Sequence, residues 1–261
     1  MELAVRSAMV KLFVSDIDGC LAQPYHPLDL AQFGTLAGYI QTAGLPLSHP
    51  DFPSFSICTG RPFPYAEAIA QALGVQAPLI FESGGGMYNP KTGKISWNPG
   101  FTADLQEQVD VVKHWMVSEL VPGSAMNYDY AKRTQPGVIG PDEAEIARSI
   151  PLVEEFVAAH APALEVYATP ISIDVLPPGI VKEEGMAWLS DATGVAVEAM
   201  AYIGDARGDV EALKRVGYGF APGNAIEAAK EAAGRVTGAW AKGVVEAYEA
   251  CLQFNHSALT T

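Results

Sequence analysis

The chain has 261 residues, with 16 Lys and Arg against 30 Asp and Glu and a formal charge of −14. It is longer than one average domain and shorter than two. Apolar residues make up 49% and charged residues 18%, which excludes disorder, collagen and coiled coil. The acidity argues against nucleic acid, whose binders need a basic footprint to displace counterions, but leaves room for a small phosphate held by locally placed cations.

Three cysteines, Cys20, Cys58 and Cys251, are odd in number and widely spaced. They suggest neither a disulfide framework nor a zinc site, and reduced thiols in a cytoplasmic protein are expected. The start lacks the basic segment and long apolar centre of a signal peptide. The longest uncharged run, between Asp29 and Asp51, contains Gly34, Gly38, Gly44 and Pro46. It reads as a helix and loop, so no membrane association is expected.

In chain order, residues 10–14 form a short β-type run that stops at Ser15-Asp16, and 28–43 read as helix. Residues 55–58 form a second strand, ending at Thr59-Gly60. Pro62 and Pro64 suit the start of a helix over 64–73, and Gly74 suits its stop. After Ser83-Gly84-Gly85-Gly86, the pairs 87–88 and 95–97 flank Asn89-Pro90-Lys91-Thr92-Gly93, a hairpin signal. A helix over 103–120 follows, then strand-like pieces at 124–130 and 138–140 and a helix over 143–159. Further strand-like pieces at 164–168 and 171–175 precede Pro177-Pro178-Gly179. A helix over 182–193, a strand over 200–203 ending at Gly204-Asp205, and helices over 208–216 and 225–233 complete the pattern.

Strands alternating with helices predict an α/β fold, a doubly wound parallel sheet. Segments 1–86 and 179–261 form this core, and 87–178 reads as an inserted α+β domain. Ligands in such sheets bind beyond the carboxyl ends of the strands, where Asp16, Asp18, Thr59 and Asp205 all fall.

Asp16-Ile17-Asp18-Gly19 is the sharpest local feature. Two carboxylates this close repel unless a cation lies between them, and Mg²⁺ suits oxygen ligands and phosphate substrates. Gly204-Asp205-Ala206-Arg207-Gly208-Asp209 supplies a second acidic pair. Neither matches the twelve-residue calcium loop. Gly84–Gly86 lacks dinucleotide and Walker spacing and reads as a hinge or turn, and the absence of a glycine fingerprint argues against an NAD-linked enzyme. Ser15 and Ser83 have no histidine motif beside them. His26, His49, His114, His160 and His256 are scattered and read as structural or surface residues.

The ordered set Asp16-Ile17-Asp18-Gly19, Thr59-Gly60-Arg61, Lys182 and Gly204-Asp205 with Asp209 resembles the four motifs of the haloacid-dehalogenase-like (HAD) hydrolase superfamily. The position of the insert resembles the C2-capped branch, which includes Cof-type, sucrose-phosphate and phosphoglycolate phosphatases. Two positions depart from the usual pattern: Gly208 where many relatives have Asn, and Cys20 where Thr is usual.

The resemblance implies a phosphomonoester phosphatase, with Asp16 as nucleophile and Asp18 as general acid and base. Thr59 and Gly60 would bind phosphate, Thr59 through its hydroxyl and backbone N–H, and Lys182 would supply a fixed charge. Mg²⁺ would be held by Asp16, Asp18 (through its carbonyl), Asp205 and, as ligand or support, Asp209. Arg61 either braces the site or touches substrate, and Asn224 either caps a helix or reaches the site. Asn127, Tyr128, Tyr130, Lys132 and Arg133 are read either as solvated strand residues or as a surface for sugar or carboxylate. The expected partner is a small phosphorylated metabolite such as a sugar phosphate or phosphoglycolate, the expected assembly a monomer or homodimer. The alternatives are a phosphomutase using the same aspartyl-phosphate and an inactive phosphosugar-binding protein.

Overall fold

The computed structural model describes residues 9–44 and 50–260. The expected core segment 1–8, the loop at 45–49 and His49 lie outside the described residues.

The elements begin with β1 (Leu12–Ser15), α1 (Leu30–Ala43), β2 (Ser54–Ile57), α2 (Phe63–Leu73), β3 (Leu79–Phe81), β4 (Gly86–Asn89) and β5 (Lys94–Trp97). Next come α3 (Ala103–Trp115), which widens into a π turn over Met116–Leu120, then β6 (Asn127–Tyr128), β7 (Gly137–Ile139), α4 (Glu143–His160), β8 (Glu165–Thr169) and β9 (Ser172–Leu176). The chain closes with α5 (Lys182–Thr193), β10 (Met200–Ile203), α6 (Val210–Arg215), β11 (Tyr218–Ala221), α7 (Glu227–Ala232), β12 (Arg235–Val236) and α8 (Trp240–Thr260).

The core sheet is parallel throughout, in the order β12-β11-β10-β1-β2. A bridge between Cys58 and Ile80 carries β3 alongside β2. Strand side chains alternate between faces, so β1 sends Phe13 into one layer and Leu12 and Val14 into the other. Phe13 meets Phe33, Leu36, Ile69, Leu73, Val244 and Tyr248 of α1, α2 and α8. Leu12 and Val14 meet Met186, Leu189, Leu213 and Ala229 of α5, α6 and α7. Helices cover both faces, as a doubly wound sheet requires. Asp29 caps α1 by accepting from the Ala31 and Gln32 amides at 3.1 Å. Gly74, at φ 75°, ends α2.

The segment between β5 and α5 packs around its own core. Its antiparallel sheet runs β6-β7-β9-β8. Tyr128, Val138, Ile173 and Val175 on one face pack against Val109, Val112, Val153 and Val157 of α3 and α4.

The hairpin expected inside the insertion beginning at 87 lies elsewhere. β4 and β5 form a three-stranded antiparallel sheet with β3, and Met87, Tyr88 and Trp97 pack against the core clusters. Gly86 permits this, because a Cβ there would sit 2.1 Å from the Phe81 ring. Residues that join the insert's own cluster begin at Phe101.

Candidate active site

Three loops leave the carboxyl end of the core sheet side by side. Asp16 follows β1, and its amide donates to the Ile203 carbonyl at 3.0 Å, while the Cys58 amide donates to Ser15 O at 3.0 Å. Gly204 and Asp205 follow β10. Lys182 arrives from the other side of the insert as the first residue of α5. A cation at that end opposes the helix dipole, and two carboxylates offset the opposition. Lys182 Nζ donates to Asp16 Oδ2 at 2.6 Å and to Asp209 Oδ1 at 2.6 Å, with all three side chains buried.

Asp209 has all its acceptor sites engaged. Oδ1 also accepts from the Tyr202 hydroxyl at 2.5 Å, and Oδ2 accepts from the amides of Asp205 at 3.0 Å and Ala206 at 2.9 Å. This carboxylate therefore supports Lys182 and the Asp205 loop. Gly204 makes the approach possible, since a Cβ there would fall 2.5 Å from the Asp209 carboxyl carbon.

Carboxylate oxygens of Asp16, Asp205 and Asp209 lie within 4.8 Å of one another. Burial pushes the Asp16 carboxyl up to about 7, against the pull of Lys182 and with the charge of Asp209 adding to the rise. Burial likewise lifts Asp205 to about 8, reinforced by Asp209 and Asp16. Burial alone would lower Lys182, but Asp16 and Asp209 outweigh it and hold the ammonium well above its usual value. One lysine cannot compensate this many acids, and hard oxygen donors short of positive charge suit a divalent cation. Gly19, at φ +78°, lets Asp205 in, because a Cβ there would overlap its carboxyl oxygen at 1.9 Å.

Asp18 does not join that cluster through its side chain. Arg61 grips it, Nε donating to Oδ2 at 2.5 Å and Nη2 to Oδ1 at 2.7 Å, while the guanidinium lies 4.7 Å over the Tyr65 ring. Arg61 thus braces Asp18 rather than waiting free for substrate. Thr59 also differs from expectation: its N–H donates to Ile80 O at 3.1 Å and so is not open to phosphate, and its hydroxyl accepts from the Arg61 amide at 3.1 Å. Gly60 lies between them, against Ser83. Asn224 is not a helix cap. Its Nδ2 donates to Gly19 O at 2.8 Å and its Oδ1 accepts from the Trp240 amide at 2.8 Å, tying the loop after Asp18 to the start of α8.

The polar-aromatic set in the insert disperses. Tyr128 is buried against Tyr130, Lys132 Nζ pairs with Asp174 at 2.5 Å, and Arg133 lies 4.6 Å over Trp97, while Asn127 is exposed. The three cysteines are free and buried. A cavity of about 670 Å³ opens between α3 and α4 near Trp115, Arg148 and Phe156, and neither Asp16 nor Asp205 lines it. Among the described residues no helix is long and apolar enough to cross a membrane.

Sequence reasoning overlooked Tyr202 and Glu82. A tyrosine inside a fully buried strand needs a partner for its hydroxyl, and that signal was present in 200–203. Glu82 is a lone acid directly after the apolar run 79–81.

Residues 145–247 match the haloacid dehalogenase-like hydrolase family. The chain is 28% identical over 256 residues to a phosphoglycolate phosphatase of Natronomonas pharaonis, covering 92% of this chain and 97% of that one. Its fold is similar to that of a HAD/COF-like hydrolase of Plasmodium vivax, with a TM-score of 0.71 at 18% identity and 97% of both chains covered. It is also similar to a HAD subclass IIB sugar phosphatase, with a TM-score of 0.63 at 19% identity, covering 94% of this chain and 98% of that one. The ordered motifs converge on one buried cluster, and the chain is similar to haloacid-dehalogenase-like hydrolases in sequence over residues 145–247 and in overall fold.

Proposed function

We propose that this chain is a Mg²⁺-dependent phosphomonoesterase that acts on a small phosphorylated metabolite through an aspartyl-phosphate. The observation that carries this reading is the buried Asp16 carboxylate held 2.6 Å from Lys182 Nζ, with the carboxylate of Asp205 beside it. The relative named for phosphoglycolate and the neighbour named for sugar phosphates support a sugar phosphate or a phosphoglycolate-like ester as substrate.

The chemistry divides among the residues by position. Asp16 attacks phosphorus and the ester P–O bond breaks, giving an acyl phosphate on its carboxylate. Asp18 leaves Arg61, takes a proton from solvent and delivers it to the leaving oxygen; it then takes a proton from the water that attacks the acyl phosphate, whose P–O bond to Asp16 breaks to release phosphate. Lys182 orients Asp16 and balances charge on the transferring phosphoryl group. The Thr59 hydroxyl and Gly60 would bind the phosphate from this loop. Asp16 and Asp205 would hold Mg²⁺, with the Asp18 carbonyl nearby and Asp209 in support. The bound ion would add positive charge beside the phosphoryl oxygens. The insert, beyond the hairpin, would act as the cap that selects the substrate. The acidic surface supports a small metabolite as the partner, acted on by a monomer or homodimer without nucleic acid or membrane.

A panel of phosphoglycolate, hexose phosphates, disaccharide phosphates and p-nitrophenyl phosphate tests the reading. Phosphate release should stop with EDTA, return with Mg²⁺ and vanish in Asp16→Asn. Isomer formation without phosphate release would make the enzyme a mutase, and tight binding without turnover would reject the reaction.

A further inference from the structure

Glu82 stands at the end of β3 in the core, fully buried, yet among the described residues every donor to its carboxylate comes from the insert. The Arg133 amide donates to both oxygens at 3.1 Å. The Thr134 amide and hydroxyl each donate to Oε2 at 2.6 Å, and Gln135 Nε2 donates to the Glu82 carbonyl at 2.5 Å. A buried carboxylate is costly unless it is hydrogen-bonded, so Glu82 is satisfied only when this stretch of the insert is seated on it.

The other side of Glu82 faces the catalytic loop. Its amide donates to Arg61 O at 3.0 Å, and the Ser83 amide donates to Thr59 O at 2.9 Å. Both Glu82 (φ 48°) and Ser83 (φ 52°) hold left-handed backbone, a conformation that persists in ordinary residues where surroundings over-determine it. Gly85 keeps the seat open, because a Cβ there would lie 2.1 Å from Thr134 Oγ1. Beyond residue 135 the stretch is tied into the insert's sheet through the Val175 amide on Pro136 O and the pairing of Gly137 with Asp174. A continuous series of bonds thus runs from the insert's sheet through Glu82 to Arg61, and from Arg61 to Asp18.

We propose that Glu82 is a positioning residue: it docks the insert on the core and, through the same few atoms, sets the Thr59–Arg61 loop that holds Asp18. The catalytic consequence rests on the phosphomonoesterase reading; the docking does not. Glu82→Gln keeps the shape but turns an amide NH₂ toward donors. Thr134→Val removes one hydroxyl and serves if the first variant does not fold.

Spin labels on Gln71→Cys and Glu154→Cys, both exposed, report the separation of core and insert by double electron–electron resonance. Each variant should broaden a distance distribution that is narrow with Glu82 and Thr134 intact. Each should also lower kcat on an alkyl phosphate by about tenfold through misplacement of Asp18, and lower it less on p-nitrophenyl phosphate, whose leaving oxygen needs little protonation. Unchanged distances overturn the docking role. Broadened distances with unchanged kcat overturn the coupling to Asp18, as does an equal loss of kcat on the alkyl and the p-nitrophenyl ester. A parent protein that hydrolyses no ester rejects the phosphomonoesterase reading, while the distances still decide the docking.

Discussion

Lys182 Nζ lies 2.6 Å from Asp16 Oδ2, and the pair joins residues from opposite sides of the insert inside a buried site. The same ammonium meets Asp209 at 2.6 Å, so its removal strands two acids. Lys182→Met is expected to cost about 3–5 kcal/mol, as for other broken buried pairs, and to lower phosphate release by about a thousandfold. Urea unfolding and steady-state assays check both. Turnover at the parent rate would show that the charge is dispensable.

Metal and proton compete for the same carboxylates. Asp16 rises to about 7 and Asp205 to about 8 from 3.8, burial being the largest cause in each. The folded metal-free protein therefore keeps protons that the unfolded chain gives up. The stability this confers is full below the unfolded value and is lost as pH rises through about 7 to 8. The EDTA-treated protein should melt lower at about pH 8.5 than at about pH 6, and Mg²⁺ should raise the melting temperature more at the higher pH, since ligands must be deprotonated. Thermal melts at the two pH values decide it; a larger Mg²⁺ effect on the acid side would contradict the assignment.

Gly19→Ala adds a Cβ that overlaps Asp205 Oδ2 at 1.9 Å, at a φ of +78°. Displacement of Asp205 should weaken Mg²⁺ binding by about tenfold or more, the scale seen when groups supporting metal ligands are altered. Titration calorimetry measures this directly, and parent-like affinity would detach Gly19 from the metal site.

Asn255 offers a contrast far from the chemistry. It is fully buried; its Nδ2 donates to Val10 O at 2.8 Å and Asp51 O at 2.9 Å, and its Oδ1 accepts from the Val10 amide at 2.8 Å. Asn255→Ala strands these backbone groups and should cost about 2–3 kcal/mol. The kcat of the folded fraction should stay at the parent value. A loss of kcat without a loss of stability would be the wrong way round.

The parallel core was legible because β1, β2 and β10 are short apolar runs that each stop at a small or polar residue. The order of Asp16, Asp18, Lys182, Asp205 and Asp209 was legible as a set. Helix α8 was overlooked although Val244, Tyr248, Cys251 and Asn255 recur at helical spacing and are all buried. Strands β3 and β12 span only three and two residues, and Gly219 interrupts the apolar run of β11. The partner of the hairpin was hidden for a different reason: a hairpin reads alike whether it pairs with β3 or with an insert, and only tertiary contacts separate the two. Partner choice was likewise hidden. Asp18 prefers Arg61, and Thr59 spends its N–H on Ile80, because loops converge in ways that local pattern does not encode.

The interior strand β1 pairs Leu12 with Met200 on one side and with Ser54 on the other. During synthesis, the amino-terminal half therefore emerges with Asp16 and Asp18 at the edge of an incomplete sheet, and it lacks Lys182 until the whole insert has been made. Contacts so distant along the chain slow folding, and an unpaired apolar edge is where nascent chains associate wrongly. The early segments are thus the part of this protein with most to gain from a chaperone, and chain truncated before β10 should be recovered as aggregate.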